Sequence, residues 1–254
     1  MRKLFTLRFR SIVLFLHLLF WTPMGMAAAL IYPTGRLFMW VAGELWSKQA
    51  LWIASLRVTV KGLENIDPQK TYIICANHLS LIDIPLLFAV LPFRVRFLAK
   101  RGLFYIPIFG WSLYIAGFIP VDRGITSKAR RSIERGARRI KRGPSLIVFP
   151  EGTRSSIDGV NRFKSGAFTM AIRSSVPVLP VAIRGTFDVV PKTSLKVVPG
   201  PVNVIIGEPI STDMLKMKDK ESLRKETQSA VEAMFESNEP RAEAIPCRLR
   251  KFCS

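Results

Sequence analysis

Residues 72–85 read Tyr-Ile-Ile-Cys-Ala-Asn-His-Leu-Ser-Leu-Ile-Asp-Ile-Pro. An apolar run suited to a buried strand, Tyr72–Ala76, stops abruptly at Asn77-His78. A second apolar run, Ile84–Leu91, reads as a short helix with Pro85 tolerated in its first turn. Strand, short polar link and helix form the repeating unit of an α/β domain. The link holds His78 and, five residues on, Asp83. On one regular helix that spacing would turn the two side chains about 140° apart, so they can meet only if His78 lies off the helix, at the strand end. Asp83 then sits at the helix start, where capping and the helix dipole favour a carboxylate. In that geometry Asp83 holds one imidazole nitrogen and the other faces a substrate as general base, the division of labour of the serine hydrolases. A core histidine beside an ordinary helix cap fits the same residues, so support has to come from elsewhere in the chain.

Outward from this stretch, the texture repeats. Arg57–Lys61 alternates as a half-buried strand should, and Arg94–Ala99, Phe118–Val121, Ser145–Phe149, Val178–Arg184 and Val202–Ile206 also read as strands. Between them Leu103–Ala116 is apolar and Ser127–Arg142 is an amphipathic helix, with Ala129, Ile133, Ala137 and Ile140 on one side and arginines around them. Ala167–Arg173 and Ser222–Asn238 read as helices, the second offering Leu223, Val231, Met234 and Phe235 to a core. The pattern predicts a single α/β domain over residues 57–238, with a mixed, largely parallel sheet flanked by helices. Residues 239–254, proline-bearing and basic, read as a flexible tail.

The N-terminus has a different texture. After Arg2, Lys3, Arg8 and Arg10, the run Ile12–Tyr32 carries no formal charge and is long enough to cross a ~30 Å hydrocarbon layer. A signal peptide's apolar region is shorter, about 7–15 residues. A single crossing would leave the basic remainder on the far side, against the positive-inside preference. Pro33-Thr34-Gly35 then offers a turn before Leu37–Leu56, a segment rich in Leu, Trp and Met and interrupted by Glu44, Lys48 and Gln49. Residues 1–56 are therefore expected to form a membrane-associated helical hairpin that returns the chain to its starting side. Trp40, Trp46 and Trp52 suit the headgroup level. The alternative is a buried pair of core helices.

A formal charge of +20 calls for an anionic partner. Three cysteines give no disulfide framework, which fits a reducing compartment, and two histidines without ligand spacing point away from a metal site. There is no Gly-x-Ser-x-Gly elbow, no Walker A loop and no Gly-x-Gly-x-x-Gly, and the basic residues are not interleaved with stacking aromatics as in a single-strand nucleic-acid binder. What the chain does offer is Phe149-Pro-Glu-Gly-Thr-Arg-Ser155, a glycine-bearing turn directly after a buried strand, with Arg154 suited to a forked grip on phosphate. Val121-Asp122-Arg123-Gly124 repeats the arrangement after a second strand, although either could be a plain surface turn.

Asn77-His78-Leu-Ser-Leu-Ile-Asp83 resembles the Asn-His-x4-Asp block of the glycerophospholipid acyltransferases, in particular the 1-acyl-sn-glycerol-3-phosphate acyltransferases. Gly117–Arg123, Phe149–Ser155 (followed by Phe163-Lys164-x-Gly166) and Val176–Val181 are similar to that family's later blocks, in order, and the resemblance covers roughly Val58 to Ile210. Lys100 and Leu103–Gly110 resemble the segment between the first two blocks, where an aromatic often follows the lysine and here Arg101 does. The resemblance implies transfer of an acyl chain from coenzyme A or acyl carrier protein to the sn-2 hydroxyl of lysophosphatidate, without cofactor or covalent acyl-enzyme. It implies His78 as base with Asp83 beside it, and Arg123, Glu151, Gly152, Thr153 and Arg154 around the phosphate. Asn77, Lys100 and Lys164 would support them. The fourth block is associated in the family with the donor; Val176–Ile183 here is more economically a core strand. The implied partners are a lysophospholipid, the acyl donor and anionic membrane lipids, with no nucleic acid, at the cytoplasmic side of a bacterial inner membrane. Another lysolipid acceptor, such as a lyso-ornithine lipid, and an inactive basic binding protein are the other readings.

Overall fold

The computed structural model describes residues 2–31, 36–122, 127–140, 143–155, 159–191 and 196–237. The Pro33–Gly35 turn, Arg123 and the tail from residue 239 lie outside the described residues. Seven strands form one sheet: β1 (Arg57–Lys61), β2 (Ile73–Ala76), β3 (Val95–Lys100), β4 (Ile119–Val121), β5 (Ser145–Val148), β6 (Val178–Arg184) and β7 (Pro201–Ile206). Their order is β1-β7-β6-β2-β5-β3-β4, and every neighbouring pair is parallel except β6 and β7. All seven expected strands are present, with ends shifted by a residue or so.

β2 and β5 lie at the centre, and each is buried along its whole length, as strands covered on both faces must be. Alternation along β2 sorts its side chains. Ile74 and Ala76 join one core, while Ile73 and Cys75 join the other. On the first face pack α1 (Arg2–Ile31), α2 (Arg36–Met39), α3 (Lys48–Ile53), α4 (Asp83–Val90) and α5 (Phe109–Ile115). On the second pack α6 (Ser127–Ile140), α7 (Gly166–Ser174) and α9 (Lys220–Glu236), whereas α8 (Thr186–Val189), not foreseen from the sequence, contributes Val189 to the first.

α1 is long and apolar enough to cross a membrane, and only 17% of its most apolar stretch is covered by the rest of the protein. Phe15, Leu16, Leu19 and Phe20 are exposed along it, so it is not an ordinary core helix, and membrane association rests on it. The second hydrophobic segment runs from α2 through a π-helical stretch, Trp40–Ser47, into α3. Within it the Ser47 hydroxyl donates to the Ala42 carbonyl five residues back, the spacing of a π turn. The segment packs on α4 and into the first core. Phe38, Ala42 and Leu51 are buried in the first core, and Glu44 and Lys48 pair with each other. Trp46, expected at headgroup level, instead packs edge-on against Phe88 of α4 at 6.0 Å, while Trp40 and Trp52 stay exposed. The apolar run Leu103–Ala116 divides into a 3-10 turn (Arg101–Tyr105) and α5. The join puts β-branched Ile108 at φ +63°, and a Cβ on Gly110 would stand 2.3 Å from the Phe104 carbonyl oxygen, so only glycine fits there.

Candidate active site

The end of β2 is fastened by a side chain acting as backbone. Asn77, fully buried, donates from Nδ2 to the Ile183 carbonyl at 2.9 Å and accepts the Ile183 N–H at Oδ1 at 2.7 Å, extending the β2–β6 pairing by one step. The chain then turns away, and His78 and Asp83 meet across the turn. Nδ1 of His78 lies 2.8 Å from Oδ2 of Asp83. The same oxygen accepts the backbone N–H groups of Leu79 at 2.8 Å and Ser80 at 2.9 Å. Asp83 is 0% exposed, and among the described residues its other oxygen has no hydrogen-bond partner. With the carboxylate as acceptor, Nδ1 carries the ring proton and Nε2 keeps its lone pair. Asp83 begins α4 but caps the preceding turn rather than the helix, since no side chain caps that N-terminus.

The ring of His78 stacks on Phe149, with centroids 4.0 Å apart and planes at 16°. Its backbone is held by the arginine-bearing turn after β5. The His78 N–H donates to Glu151 Oε1 at 2.8 Å, and the His78 carbonyl accepts the Ser155 N–H at 2.6 Å. Glu151, expected at the substrate phosphate, has a different position. It is 3% exposed, and its second oxygen accepts the Ser155 hydroxyl and the Asn161 N–H. A buried carboxylate surrounded by protein donors ties three chain segments together; it does not face an anion. Burial raises its pKa, opposed by the hydrogen bonds from Ser155, His78 and Asn161.

Gly152 takes φ +74°, and a Cβ there would stand 2.6 Å from Lys164 Nζ, so the left-handed turn also makes room for that ammonium. Lys164 is set by its own N–H, which donates to the Pro150 carbonyl at 2.9 Å. The structure thus gathers His78, Gly152, Thr153, Arg154, Lys164 and Lys100 on the walls of one cavity of about 1880 Å³. That is beyond the ~300–1,000 Å³ of a drug-sized site.

One arm of the cavity is apolar, lined by α1, α2, the π-helical stretch, α4 and α5. A relay of ring contacts joins it to the histidine: Phe149 to Phe97 at 5.9 Å, Phe97 to Phe118 at 6.0 Å, and Phe118 to Phe38 at 6.1 Å. The other arm is cationic and draws Arg162, Lys220 and Arg224 from segments in which sequence reasoning placed no site residue. Neither the relay nor these cations had a local signal, since their members lie on separate elements. Asp122, part of the second arginine-bearing turn, is itself gripped by Arg101 through two 2.7 Å bonds. Among the described residues no group of three His, Cys, Asp or Glu side chains is placed to hold a metal ion.

The family model described as Acyltransferase matches residues 57–184, from β1 to the end of β6. The chain belongs to the acyltransferase family. A 1-acyl-sn-glycerol-3-phosphate acyltransferase of Pseudomonas aeruginosa is 31% identical over 74% of this chain and 73% of its own length. One from Cocos nucifera is 34% identical over 72% of this chain, which spans only 55% of that longer relative. The crystal structure of the 1-acyl-sn-glycerophosphate acyltransferase PlsC from Thermotoga maritima superposes with a TM-score of 0.78 at 28% identity, covering 92% of this chain and 96% of that one. In this acyltransferase the matched region contains His78, Asp83 and Arg154 but leaves out α9, which supplies part of the cationic arm.

Proposed function

We propose that the protein transfers a fatty acyl chain from the thioester of coenzyme A or of an acyl carrier protein to the sn-2 hydroxyl of lysophosphatidate, giving phosphatidate. The observation that carries this reading is the His78 Nδ1–Asp83 Oδ2 contact of 2.8 Å, at the point where an apolar arm and an arginine-bearing turn share one cavity. Nε2 of His78 takes the hydroxyl proton as the oxygen attacks the thioester carbonyl, and the buried carboxylate of Asp83 stabilises the imidazolium. Collapse of the tetrahedral intermediate expels the thiolate, which recovers that proton from the imidazolium. Arg154 and Lys164 hold the acceptor phosphate beside the Gly152 turn, with Lys100 further along the wall; Arg123 is a further phosphate ligand in this reading, from outside the described residues. Holding both substrates in register supplies on the order of 7–11 kcal/mol of the barrier.

In the same reading residues 1–56 carry the anchor, α1, together with a second segment that packs on the catalytic unit of residues 57–238. α1 lies in the cytoplasmic membrane of a bacterium with the cavity opening to the cytoplasmic side, and anionic lipids attract the basic surface at about 1 kcal/mol per nearby Lys or Arg. The test is an assay of purified protein in detergent with radiolabelled acyl donors against lysophosphatidate and other lysolipids, among them lyso-ornithine lipid. Labelled phosphatidate is the expected product, and no transfer to lysophosphatidate with any donor would overturn the assignment.

A further inference from the structure

The catalytic cavity carries more positive charge than its proposed acceptor needs. Seven lysines and arginines line it against two carboxylates, Asp122 and Glu221, and Asp122 is taken up by Arg101. Arg173 is neutralised by Glu134 at 3.0 Å. Even so, the excess is well above the ~1.5–2 negative charges of one phosphomonoester. A second anion has room in the same cavity.

The surplus has a defined position. Arg162 lies on the extended segment between the arginine turn and α7, while Lys220 and Arg224 are one helical turn apart on α9. Two of them sit directly on one carboxylate: Arg224 Nε donates to Glu221 at 2.8 Å and Lys220 Nζ lies 4.0 Å from it. Glu221 is held below the ordinary carboxylate range first by its hydrogen bond from Arg224, with Lys220 and Arg162 adding to the effect through space. The helix is pinned to the segment by one side chain. Gln228 Oε1 accepts the Phe163 N–H at 3.0 Å and an Arg224 Nη1–H at 3.1 Å. Phe163 itself is 2% exposed, so its flanking cations Arg162 and Lys164 are carried on an anchored backbone. Arg224 is only 7% exposed yet lines the cavity. A guanidinium that is nearly buried is costly unless paired, and Glu221 and Gln228 engage two of its five N–H groups, at Nε and Nη1.

We infer that Arg162, Lys220 and Arg224 form a second anion subsite, which seats the phosphate of the acyl donor's pantetheine arm next to the acceptor phosphate at Arg154 and Lys164. The assignment rests on the acyl-transfer reading above. It separates the two phosphates: the arginine turn holds the acceptor, and α9 holds the donor. The shared chemistry is an organic phosphate ester, present both in coenzyme A and in the prosthetic group of a carrier protein.

Isothermal titration of the full-length protein in detergent, with no lysolipid present, tests this with coenzyme A, its 3′-dephospho form, 4′-phosphopantetheine, pantetheine and glycerol 3-phosphate. Coenzyme A is expected to bind at least about tenfold more tightly than pantetheine, the worth of one charge-assisted hydrogen bond. Arg162→Gln combined with Lys220→Gln, both away from the core, should remove most of that gap and leave the affinity for glycerol 3-phosphate in place. A loss already seen with 4′-phosphopantetheine assigns the subsite to the phosphate common to both donors. A loss confined to coenzyme A against its dephospho form would overturn the inference, since the cluster would then hold the 3′-phosphate, which the carrier protein lacks. Equal affinities for coenzyme A and pantetheine in the unaltered protein would overturn the inference. So would an equal fall for glycerol 3-phosphate in the double variant, since the cluster would then serve the acceptor. Because no acceptor lipid is present, failure of lysophosphatidate as substrate leaves these outcomes readable.

Discussion

A single oxygen, Oδ2 of Asp83, accepts from the His78 ring and from two backbone N–H groups, so it fixes the imidazole and the turn beneath it together. Asp83→Asn should therefore lower kcat as His78→Ala does, by about 10²–10⁴-fold, with a greater loss of melting temperature for the asparagine variant because the turn loosens. Steady-state kinetics beside thermal unfolding check both halves, and a fully active His78→Ala protein would end the general-base assignment. Glu151 acts through backbone. Burial raises its pKa in the folded protein, so its contribution to stability is present below the ordinary carboxylate range and is lost as pH rises through the raised value. Glu151→Gln should flatten that decline in denaturant titrations across the same range. It should also cost ~1–3 kcal/mol at low pH, where one of the donors that Glu151 accepts would face an amide NH2. His78 and Asp83 were legible in the sequence because five residues separate them. Glu151 was misread because the N–H it accepts from His78 comes from 73 residues away.

At the scale of elements, the two hydrophobic N-terminal segments are unlike one another, although composition made them look like a matched pair. α1 leaves most of its apolar length uncovered, whereas residues 36–53 bury Phe38, Ala42 and Leu51 against α4 and the sheet. Truncation should separate them. Removing residues 1–31 is expected to release the protein from membranes at 1 M salt while leaving a cooperative unfolding transition. Removing residues 1–55 should abolish that transition, since opening several large side-chain sites in one core costs ~2–5 kcal/mol each. Sedimentation with vesicles and circular dichroism on heating read the two outcomes. The sequence could not reveal this difference. Trp46 faces inward only because Phe88 of α4 is there to receive it, and nothing local to residues 37–56 specifies α4 as a neighbour.

For the whole molecule, the sheet separates two environments: apolar helices on one face, and α7 with the highly charged α6 and α9 on the other. Tyr105, Ile106, Ile108, Trp111 and Tyr114 are exposed on and before α5, which packs beside α1 and enlarges the apolar surface. Binding to anionic vesicles should therefore have two components. One is steeply weakened between 0.1 and 1 M salt as the screening length falls from about 10 to 3 Å; the other is indifferent to salt. The intact chain is expected to remain bound at 1 M salt and the chain lacking residues 1–31 to dissociate, which flotation at both salt concentrations would measure. All seven strands were readable from apolar runs, but their order was not. β7 inserts between β1 and β6 and runs against β6, a choice made by long-range packing that no single run encodes.

The grip of Asn77 on Ile183 also has a consequence in time. The histidine next to it is made early in synthesis, yet the partner that fixes the end of its strand emerges from the ribosome 106 residues later. β1 waits longer still, since Arg57 pairs with Pro201. Contacts so distant along the chain form slowly, and domains fold as units once their parts have been made. The nascent protein therefore passes through a period in which α1 is complete and the end of β2 beside His78 is still unfastened. The long apolar helix is thus complete before the last strands close the sheet.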